Sequence, residues 1–371
     1  MHILLAPDSF KESLSAKQVA EALKKGFQEA LPEATFDLLP IGDGGEGTMD
    51  TLAGVLNLTK KHTQVTGPFG KPVSMTYYQN DEMAFFEIAS LVGLGSIPAE
   101  KRNPLELETR GIGELILQLV DQGVKTICVG IGGSATNDGG IGMAAGLGVA
   151  FYDDQGHLLR PVGASIGRVA RIDNSAVPNS LQDIDLQVLT DVTNPLCGSQ
   201  GATYIFGGQK GLNLLLFPAV DQAMQDFYQL VDPRILSIAG AGAGGGMAAG
   251  LVAFAGGQIS SGIEKSLDLI DFDHKVQKAD LVVVGEGRMD LQSLSGKAPV
   301  GVAKRTPDKI PVLAICGSLA DDLPAFPSHH IEAAFSIIPG PCEVADALTH
   351  AEKNLISCAR NIGNLLKMKA N

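Results

Sequence analysis

Short apolar runs alternate with helical patterns at the start of the chain. Residues 2–6 form one apolar run, and Ser15 followed by Gln18 predicts the start of a helix with apolar residues at helical spacing. A second apolar run, at 35–39, leads through a glycine-rich segment to a predicted helix over 48–55. Strands that alternate with helices are typical of a parallel sheet covered by helices.

The middle of the chain has a different pattern. Apolar and polar residues alternate over 72–78 and 83–88 around a turn at 79–81, which predicts an antiparallel hairpin rather than another strand–helix unit. Further predicted elements are a helix over 104–120, a strand over 126–131, a hairpin about 153–156, a strand over 186–190 and a helix near 220–230.

The strand–helix alternation returns from residue 280 onward. The predicted elements here are a strand over 281–284, a helix near 299–304, strands over 312–316 and 334–338, and a helix from about 344 to 367. We therefore expect two different α/β domains. A flavodoxin-like parallel-sheet domain, formed by residues 1–66 and 277–371, is interrupted by a second, mixed α/β domain over 67–276.

Composition limits the kinds of partner. Hydrophobic residues make up 45% and charged residues 19% of the 371, which is typical of a chain that folds throughout. A formal charge of -13 argues against a nucleic-acid-binding surface. The five cysteines form no CxxC pair, and the N-terminus lacks a secretory pattern. No apolar run approaches the ~20 residues that cross a bilayer. We expect a cytoplasmic protein without nucleic-acid or membrane partners.

A charged, glycine-rich segment follows the apolar run at 281–284. It places Glu286, Arg288, Asp290 and Lys297 beyond the carboxyl end of a predicted strand, where open α/β sheets bind ligands. Arginine and lysine hold phosphate oxygens, and carboxylates hold divalent cations. The segment therefore favours a polyanionic ligand with a metal, and the alternative is a solvated turn with scattered charges.

The first two predicted strands also end in polar residues. Lys11 could clamp a phosphate or a carboxylate, and Asp8 and Asp43 could orient a small hydroxyl substrate. The alternative is that Asp8 caps a turn and Lys11 is solvated. The candidate substrate-binding residues are Asp8, Ser9, Asp43, Gly44 and Gly45.

A glycine-rich loop over 130–140 lies between a predicted strand and a predicted helix. Its backbone N–H groups could hold phosphates at the helix N-terminus, although it matches neither the P-loop nor GxGxxG. Close helix–strand packing is the alternative reason for these glycines. The candidate nucleotide-binding residues are Gly132, Gly133, Ser134, Asn137 and Asp138.

Asp191 follows another predicted strand, next to a Thr-Asn-Pro sequence. An aspartate with a nearby asparagine suits magnesium, and an Asx turn before the proline is the alternative. The segment FGGQKG over 206–211 offers a single lysine between glycines, which is weak evidence alone, and the glycine run at 240–246 suits either a nucleotide contact or a hinge.

Seven segments together resemble one family. They are PDSFKESLSA, PIGDGGEGT, GIGGSATNDGG, DVTNPLCG, FGGQKG, AGAGAGGG and GEGRMDLQSLSGKAPVGVA. In this order they resemble the class I glycerate kinases, the bacterial family that phosphorylates D-glycerate. The resemblance implies two α/β domains with a cleft between them, ATP with Mg²⁺, D-glycerate as acceptor, and 2-phosphoglycerate as the product in most members.

The departures from the family pattern are small. Glu12 stands where glycine is expected, Gly42 where alanine is usual, and Gly208 where proline is usual. Glu12 adds a negative side chain beside Lys11, near the expected glycerate pocket.

The charged candidates suit phosphoryl transfer, which needs positioning and charge neutralisation. We assign Arg288 and Lys297 to the transferring phosphoryl group or to the glycerate carboxylate, and Lys11 to the other of these. Asp191 and Asp290 are the candidates for magnesium or for orienting the hydroxyl, with Asp8 and Asp43 as alternatives. The alternatives are a kinase that gives 3-phosphoglycerate or acts on another short hydroxy acid, and a non-catalytic sugar-acid binding protein.

Overall fold

The structure, a computed structural model, describes residues 1–42, 48–295 and 297–370. The strands are β1 (His2–Pro7), β2 (Thr35–Leu38), β3 (Thr59–Thr66), β4 (Pro72–Gln79), β5 (Met83–Glu87), β6 (Thr126–Gly130), β7 (Ala150–Tyr152), β8 (Arg171–Asp173), β9 (Asp185–Leu189), β10 (Gln258–Ser260), β11 (Leu281–Gly285), β12 (Arg288–Met289), β13 (Val312–Cys316), β14 (Ser318–Leu319) and β15 (Ala333–Ser336). The helices are α1 (Ala16–Ala30), α2 (Thr48–Val55), α3 (Ala89–Val92), α4 (Arg110–Asp121), α5 (Ile141–Gly146), α6 (Ala202–Phe206), α7 (Phe217–Val231), α8 (Met247–Ala255), α9 (Gly262–Leu269), α10 (Phe272–Val276), α11 (Ala298–Arg305), α12 (Val344–Thr349) and α13 (Ala351–Ala370).

The first compact unit of the described chain comprises residues 1–42, 48–56 and 262–370. Its sheet has the order β2-β1-β11-β13-β15, and every neighbouring pair is parallel. This is the 2-1-3-4-5 order of flavodoxin, in which ligands bind beyond the carboxyl ends of the strands. The expected flavodoxin-like parallel sheet is confirmed.

Apolar residues of the strands and of two helices form the core of the first unit. All five residues of β11 are buried, as expected for a strand covered on both faces. Phe27 of α1 and Leu355 of α13 are fully buried against these strands. The Ser15 hydroxyl accepts from the Gln18 amide at 3.3 Å, and the Gln18 side chain accepts from the Ser15 amide at 2.9 Å. The predicted start of α1 is confirmed.

The second unit comprises residues 57–261 of the described chain. Its six-stranded sheet has the order β10-β9-β6-β5-β4-β3. The four strands β10, β9, β6 and β5 are parallel, whereas β4 is antiparallel to both of its neighbours. The predicted β4–β5 hairpin is confirmed, and the sheet is mixed as expected.

Several element limits differ from the sequence-based expectation. Strand β3 pairs with β4 in the mixed sheet, so residues 57–66 pack with the second unit, and residues 262–276 pack with the first. The pattern did not predict β3 because it is an edge strand with mostly exposed polar residues. The exact domain limits stay a prediction.

Two predicted helices also differ. Helix α4 begins at Arg110 instead of 104, because the carbonyl of Pro104 accepts from the Asn137 amide and the Glu108 amide donates to Pro68. These long-range bonds hold residues 104–109 outside the helix. The predicted helix over 344–367 is two helices, α12 and α13, separated at His350.

Candidate active site

The loops after β1 and β11 leave the sheet side by side. Pro7 is the register partner of Gly285, and the Asp8 amide donates to the Gly285 carbonyl at 2.8 Å. A Cβ added to Gly287 would lie 3.4 Å from the amide nitrogen of Lys11, an ordinary van der Waals distance, so the two loops run close to each other. The parallel pairing of β1 with β11 therefore brings two charged segments together.

Three cations line one cavity of about 450 Å³ at this edge of the sheet. We call it the cationic pocket, and its charged or hydroxyl-bearing lining residues are Asp8, Ser9, Lys11, Ser13, Glu286, Arg288, Lys297 and Ser318. Three cations face two carboxylates, so the lining has a net positive charge in a protein whose formal charge is -13. A local positive field of this kind attracts small anions.

Apolar side chains form the rest of the cationic pocket. They include Ile337, Ile338, Val344 and Leu348. The Ser13 hydroxyl donates to the carbonyl of Leu348 at 2.7 Å, which ties the loop after β1 to α12. An apolar wall around a few charged groups lowers the local dielectric constant and strengthens their interaction with a bound anion.

Glu286, one of the charged residues predicted to follow β11, is a carboxylate of the cationic pocket. Its side chain is 8% exposed and lines the cavity beside Lys11 and Arg288. It lies one residue beyond β11, and the local sequence pattern does not record that it is buried. The Gly317 amide, just after β13, donates to the Glu286 carbonyl at 3.0 Å.

Asp290 is not among the residues that line the cationic pocket. Its Oδ1 accepts from the amides of Ser293 and Gln292 at 3.1 and 2.9 Å. These bonds, the Ser293 amide above all, and the charge of Lys297 hold the pKa of the Asp290 carboxyl below its usual range. The carboxylate is therefore ionised at neutral pH. The other substrate-binding candidates, Asp43, Gly44 and Gly45, lie outside the described residues.

Only the first half of the predicted glycine loop, in the second unit, lines a cavity. Gly132, Gly133 and Ser134 line a cavity of about 150 Å³, which we call the glycine-loop pocket. Within the described chain, the amides of these three residues donate to no protein acceptor. Gly133 has a φ of +69°, a left-handed conformation that favours glycine.

The other half of the loop is buried. Asn137 and Asp138 are both 0% exposed, and neither lines the cavity. The Asn137 side-chain amide donates to the Thr203 hydroxyl at 3.1 Å. The Asp138 carboxylate accepts from the Thr109 hydroxyl at 2.6 Å and from the amide of Gly142 at 3.3 Å.

Asp138 therefore occupies the N-terminus of α5, where the sequence analysis expected a phosphate. Its second oxygen accepts from the Gly140 amide at 3.2 Å, so the first amides of the helix already have a protein acceptor. Burial raises the pKa of Asp138, and the hydrogen bonds from Thr109 and Gly140 oppose that shift. The geometry gives Asn137 and Asp138 a role in holding the loop, not a direct place in the cavity.

Lys210 is a residue to which the sequence analysis assigned no site role. It is 3% exposed and lines the glycine-loop pocket. Its ammonium donates to the Ser134 hydroxyl at 2.9 Å and to the Thr136 carbonyl at 2.8 Å. The only sequence signal was a lysine between glycines in FGGQKG. Burial lowers the pKa of Lys210 to about 7, and the charge of Asp138 opposes that shift.

Asp191 lies after β9, between Thr190 and Val192, which both line the glycine-loop pocket. Its side chain is exposed and accepts from the Ser261 hydroxyl at 3.2 Å. In the described part of the chain, no three His, Cys, Asp or Glu side chains are grouped as a metal site. Magnesium bound through one or two carboxylates and substrate phosphates needs no such group, so Asp191 and Asp290 fit that ion as single ligands.

The fold and the two pockets define an α/β protein with candidate sites for small anionic ligands. The glycerate kinase family model matches residues 3–367. A glycerate kinase from Neisseria meningitidis serogroup B (strain MC58) is 56% identical over 368 residues, which cover 99% of both chains. Glycerate 2-kinase from Escherichia coli K12 is 40% identical over 99% of this chain and 98% of its own.

A solved structure agrees with these relatives. The crystal structure provisionally assigned as glycerate kinase 2 from Salmonella typhimurium LT2 has a TM-score of 0.90 and 40% identity, covering 100% of this chain and 99% of that chain. The chain belongs to the glycerate kinase family. The prediction of an enzyme of this family is confirmed. None of the helices in the described segments combines the length and apolarity needed to span a membrane.

Proposed function

We propose that this chain transfers the terminal phosphoryl group of ATP to D-glycerate and gives 2-phospho-D-glycerate. The observation that carries the proposal is that Lys11, Arg288 and Lys297 line one cavity at the carboxyl end of the parallel sheet. Glycerate is a small carboxylate, and its transferring phosphoryl group adds further negative charge. The relatives named as glycerate kinases, one of them a glycerate 2-kinase, support the acceptor and the position of transfer.

The cations have separate tasks in this proposal. Arg288 can form two parallel hydrogen bonds with a carboxylate or phosphate, and Lys297 adds a point charge beside it. We assign this pair to one of the two anionic groups and Lys11 to the other. Phosphoryl transfer gains most from positioning and from charge neutralisation in the transition state, so no covalent intermediate with the protein is required.

The carboxylates of the pocket orient the acceptor hydroxyl. Asp8 and Glu286 both line the cationic pocket, and the Ser9 amide donates to Asp8 Oδ1 at 2.6 Å. A carboxylate at hydrogen-bond distance accepts the hydroxyl hydrogen and aims the oxygen lone pair at phosphorus. We include Ser9, Asp43, Gly44 and Gly45 with Asp8 as substrate-binding residues.

We assign the nucleotide phosphates to Gly132, Gly133 and Ser134, with Asn137 and Asp138 shaping the loop from behind. Three amides without a protein acceptor in the described chain support this assignment. Mg²⁺ would be held by Asp191 or Asp290, and it would neutralise charge on the phosphate oxygens. Kinases take a nucleotide as the phosphoryl donor, and we assign ATP with Mg²⁺ to this role.

We place the enzyme in the cytoplasm. Five free cysteines lie in the described chain, among them Cys128 and Cys316, which are buried. Free thiols persist in a reducing compartment, which also supplies ATP. Its partners in this proposal are small molecules, ATP and D-glycerate.

An ADP-release assay over a panel of short hydroxy acids tests the proposal. The panel contains both enantiomers of glycerate, lactate, glycolate and tartronate, and NMR of each product locates the phosphate. Preference for D-glycerate with transfer to the secondary hydroxyl is the expected result. Transfer to the primary hydroxyl or to another acid would support a different kinase of the same fold. Binding without ADP release would support a non-catalytic sugar-acid binding protein.

A further inference from the structure

Lys210 is a buried lysine whose protonated form has one N–H donor left without a protein acceptor among the described residues. It ends the short 3₁₀ helix Gly208–Lys210, and its side chain reaches Ser134 and Thr136 of the glycine loop. An ammonium group has three N–H donors, and these two contacts use two of them. Among the described residues, the third donor has no acceptor. A buried lysine of this kind is costly unless something else compensates its charge.

The glycine loop supplies further donors to the same cavity. Gly132, Gly133 and Ser134 contribute three consecutive amides without a protein acceptor in the described chain. The left-handed backbone at Gly133 is typical of a nest, in which successive amides converge on an anion. The cavity of about 150 Å³ has room for one phosphate group.

Few charged groups act on Lys210. Asp138, buried behind the loop, is the charge that favours its protonated form. Arg102 lies near the pocket residue Leu94. Its guanidinium donates to the carbonyls of Leu94 and Ile97 and makes no hydrogen bond with Lys210 in the described chain. Asp191 is exposed between two pocket-lining residues. Since burial lowers the pKa of Lys210 to about 7, much of the ligand-free protein carries a neutral amine above neutral pH.

The geometry points to an anion site, formed by Lys210 and the amides of Gly132, Gly133 and Ser134, that takes one phosphate group of the nucleotide and gains a proton on Lys210 when it does. The identity of the nucleotide rests on the proposed function. The proton is taken from solvent and bound by the amine, and a dianionic phosphate then compensates the ammonium. Lys210 is in this account a ligand-binding residue and not only a tether for the loop.

Proton uptake distinguishes this site from a purely structural lysine. We would titrate the wild-type enzyme with a non-hydrolysable ATP analogue and Mg²⁺ by calorimetry, in two buffers of different ionisation enthalpy. At about pH 8 the phosphate, whose own pKa lies near 6, is already ionised. With a pKa of about 7 for the free lysine, most sites take up a proton on Lys210 at that pH. At about pH 6 the lysine is already mostly protonated, and the half-protonated phosphate releases protons of its own on binding, so the net uptake should disappear.

Two variants localise the effect. Lys210→Met keeps an unbranched apolar stem without the charge, and we expect at least about tenfold weaker binding of the analogue and no proton uptake. Lys125→Met removes an exposed lysine of the same unit that does not line the pocket, and it should bind like the wild type. If Lys210→Met fails to fold, uptake by the wild type at about pH 8, where the phosphate contributes no proton, decides alone.

The outcomes separate this inference from the proposed function. Wild-type binding without proton uptake, or Lys210→Met with normal affinity or normal uptake, would overturn the assignment of Lys210 while leaving the kinase intact. Absence of analogue binding by the wild type would contradict the proposed function instead. In that case inorganic phosphate replaces the analogue in the same titration: binding with proton uptake supports the anion site, and no uptake overturns it.

Discussion

The Asp8 amide donates its hydrogen to the Gly285 carbonyl at 2.8 Å. This bond extends the β1–β11 pairing by one residue beyond the sheet, to the point where both strands become loops. Lys11 lies three residues after Asp8, and Arg288 lies three residues after Gly285. Two cations 277 positions apart in the sequence therefore line one cavity, because their strands are parallel neighbours.

Arg288 is the first residue to test for catalysis. It is exposed on β12 and lines the cationic pocket, and no ion pair in the described chain holds it. We expect Arg288→Ala to lose about 10²-fold or more in kcat with little change in stability, because we assign to Arg288 a contact that strengthens in the transition state. Steady-state kinetics and a thermal melt check this.

A matched arginine controls for the loss of charge. Arg360 of α13 is also exposed, pairs with Glu29 at 3.3 Å and does not line the pocket, so Arg360→Ala should keep normal turnover. Normal turnover by Arg288→Ala would remove that residue from the mechanism.

Gly285 tests the packing of the parallel sheet. A Cβ at this position would lie 2.1 Å from the backbone carbonyl oxygen of Ile315, so Gly285→Ala must push β11 away from β13. We expect a loss of about 2 kcal/mol in the free energy of unfolding, measured by urea titration. Gly54, exposed in α2 with no atom within 4 Å of an added Cβ, is the control, and Gly54→Ala should gain about 0.5 kcal/mol. Equal stability of the two variants would contradict this account of the sheet.

Glu12 tests both backbone strain and charge beside Lys11. It is exposed with a φ of 64°, which explains why glycine is the expected residue there. Glu12→Gly should gain about 0.5 kcal/mol of stability, since relief of strain exceeds the entropy cost of glycine. Both Glu12→Gly and Glu12→Gln should lower KM for glycerate by about threefold or less, as expected for one exposed charge. Only Glu12→Gly should raise the urea midpoint. An equal rise in Glu12→Gln would mean that the gain in stability comes from loss of the charge and not from relief of backbone strain.

Lys210 makes the stability of the ligand-free protein depend on pH. Its pKa is about 7 in the folded chain and 10.5 in the unfolded chain, so between these values the unfolded chain binds the extra proton. Stability contributed by this group therefore rises with pH from about 7 towards 10.5. Urea midpoints at several pH values should show this rise in the wild type and a flatter profile in Lys210→Met. Parallel profiles for the two proteins would mean that Lys210 is charged throughout.

The sequence predicted the parallel sheet because its strands are apolar runs followed by helices, and it placed Asp8, Lys11 and Arg288 correctly at strand ends. It did not predict β3, whose polar residues carry no apolar alternation. It put Asp138 among the nucleotide contacts, whereas the structure turns that carboxylate inward onto the start of α5. The burial of Lys210 depends on contacts between segments about 75 residues apart, which local patterns do not record.

Phosphorus NMR of the wild-type reaction with ATP, Mg²⁺ and D-glycerate tests the central claim most directly. We predict a new phosphomonoester signal split into a doublet by the single methine proton of 2-phospho-D-glycerate, with ADP formed in equal amount. A triplet would mean transfer to the primary hydroxyl. No phosphomonoester signal, from a folded enzyme that binds both substrates, would contradict the account.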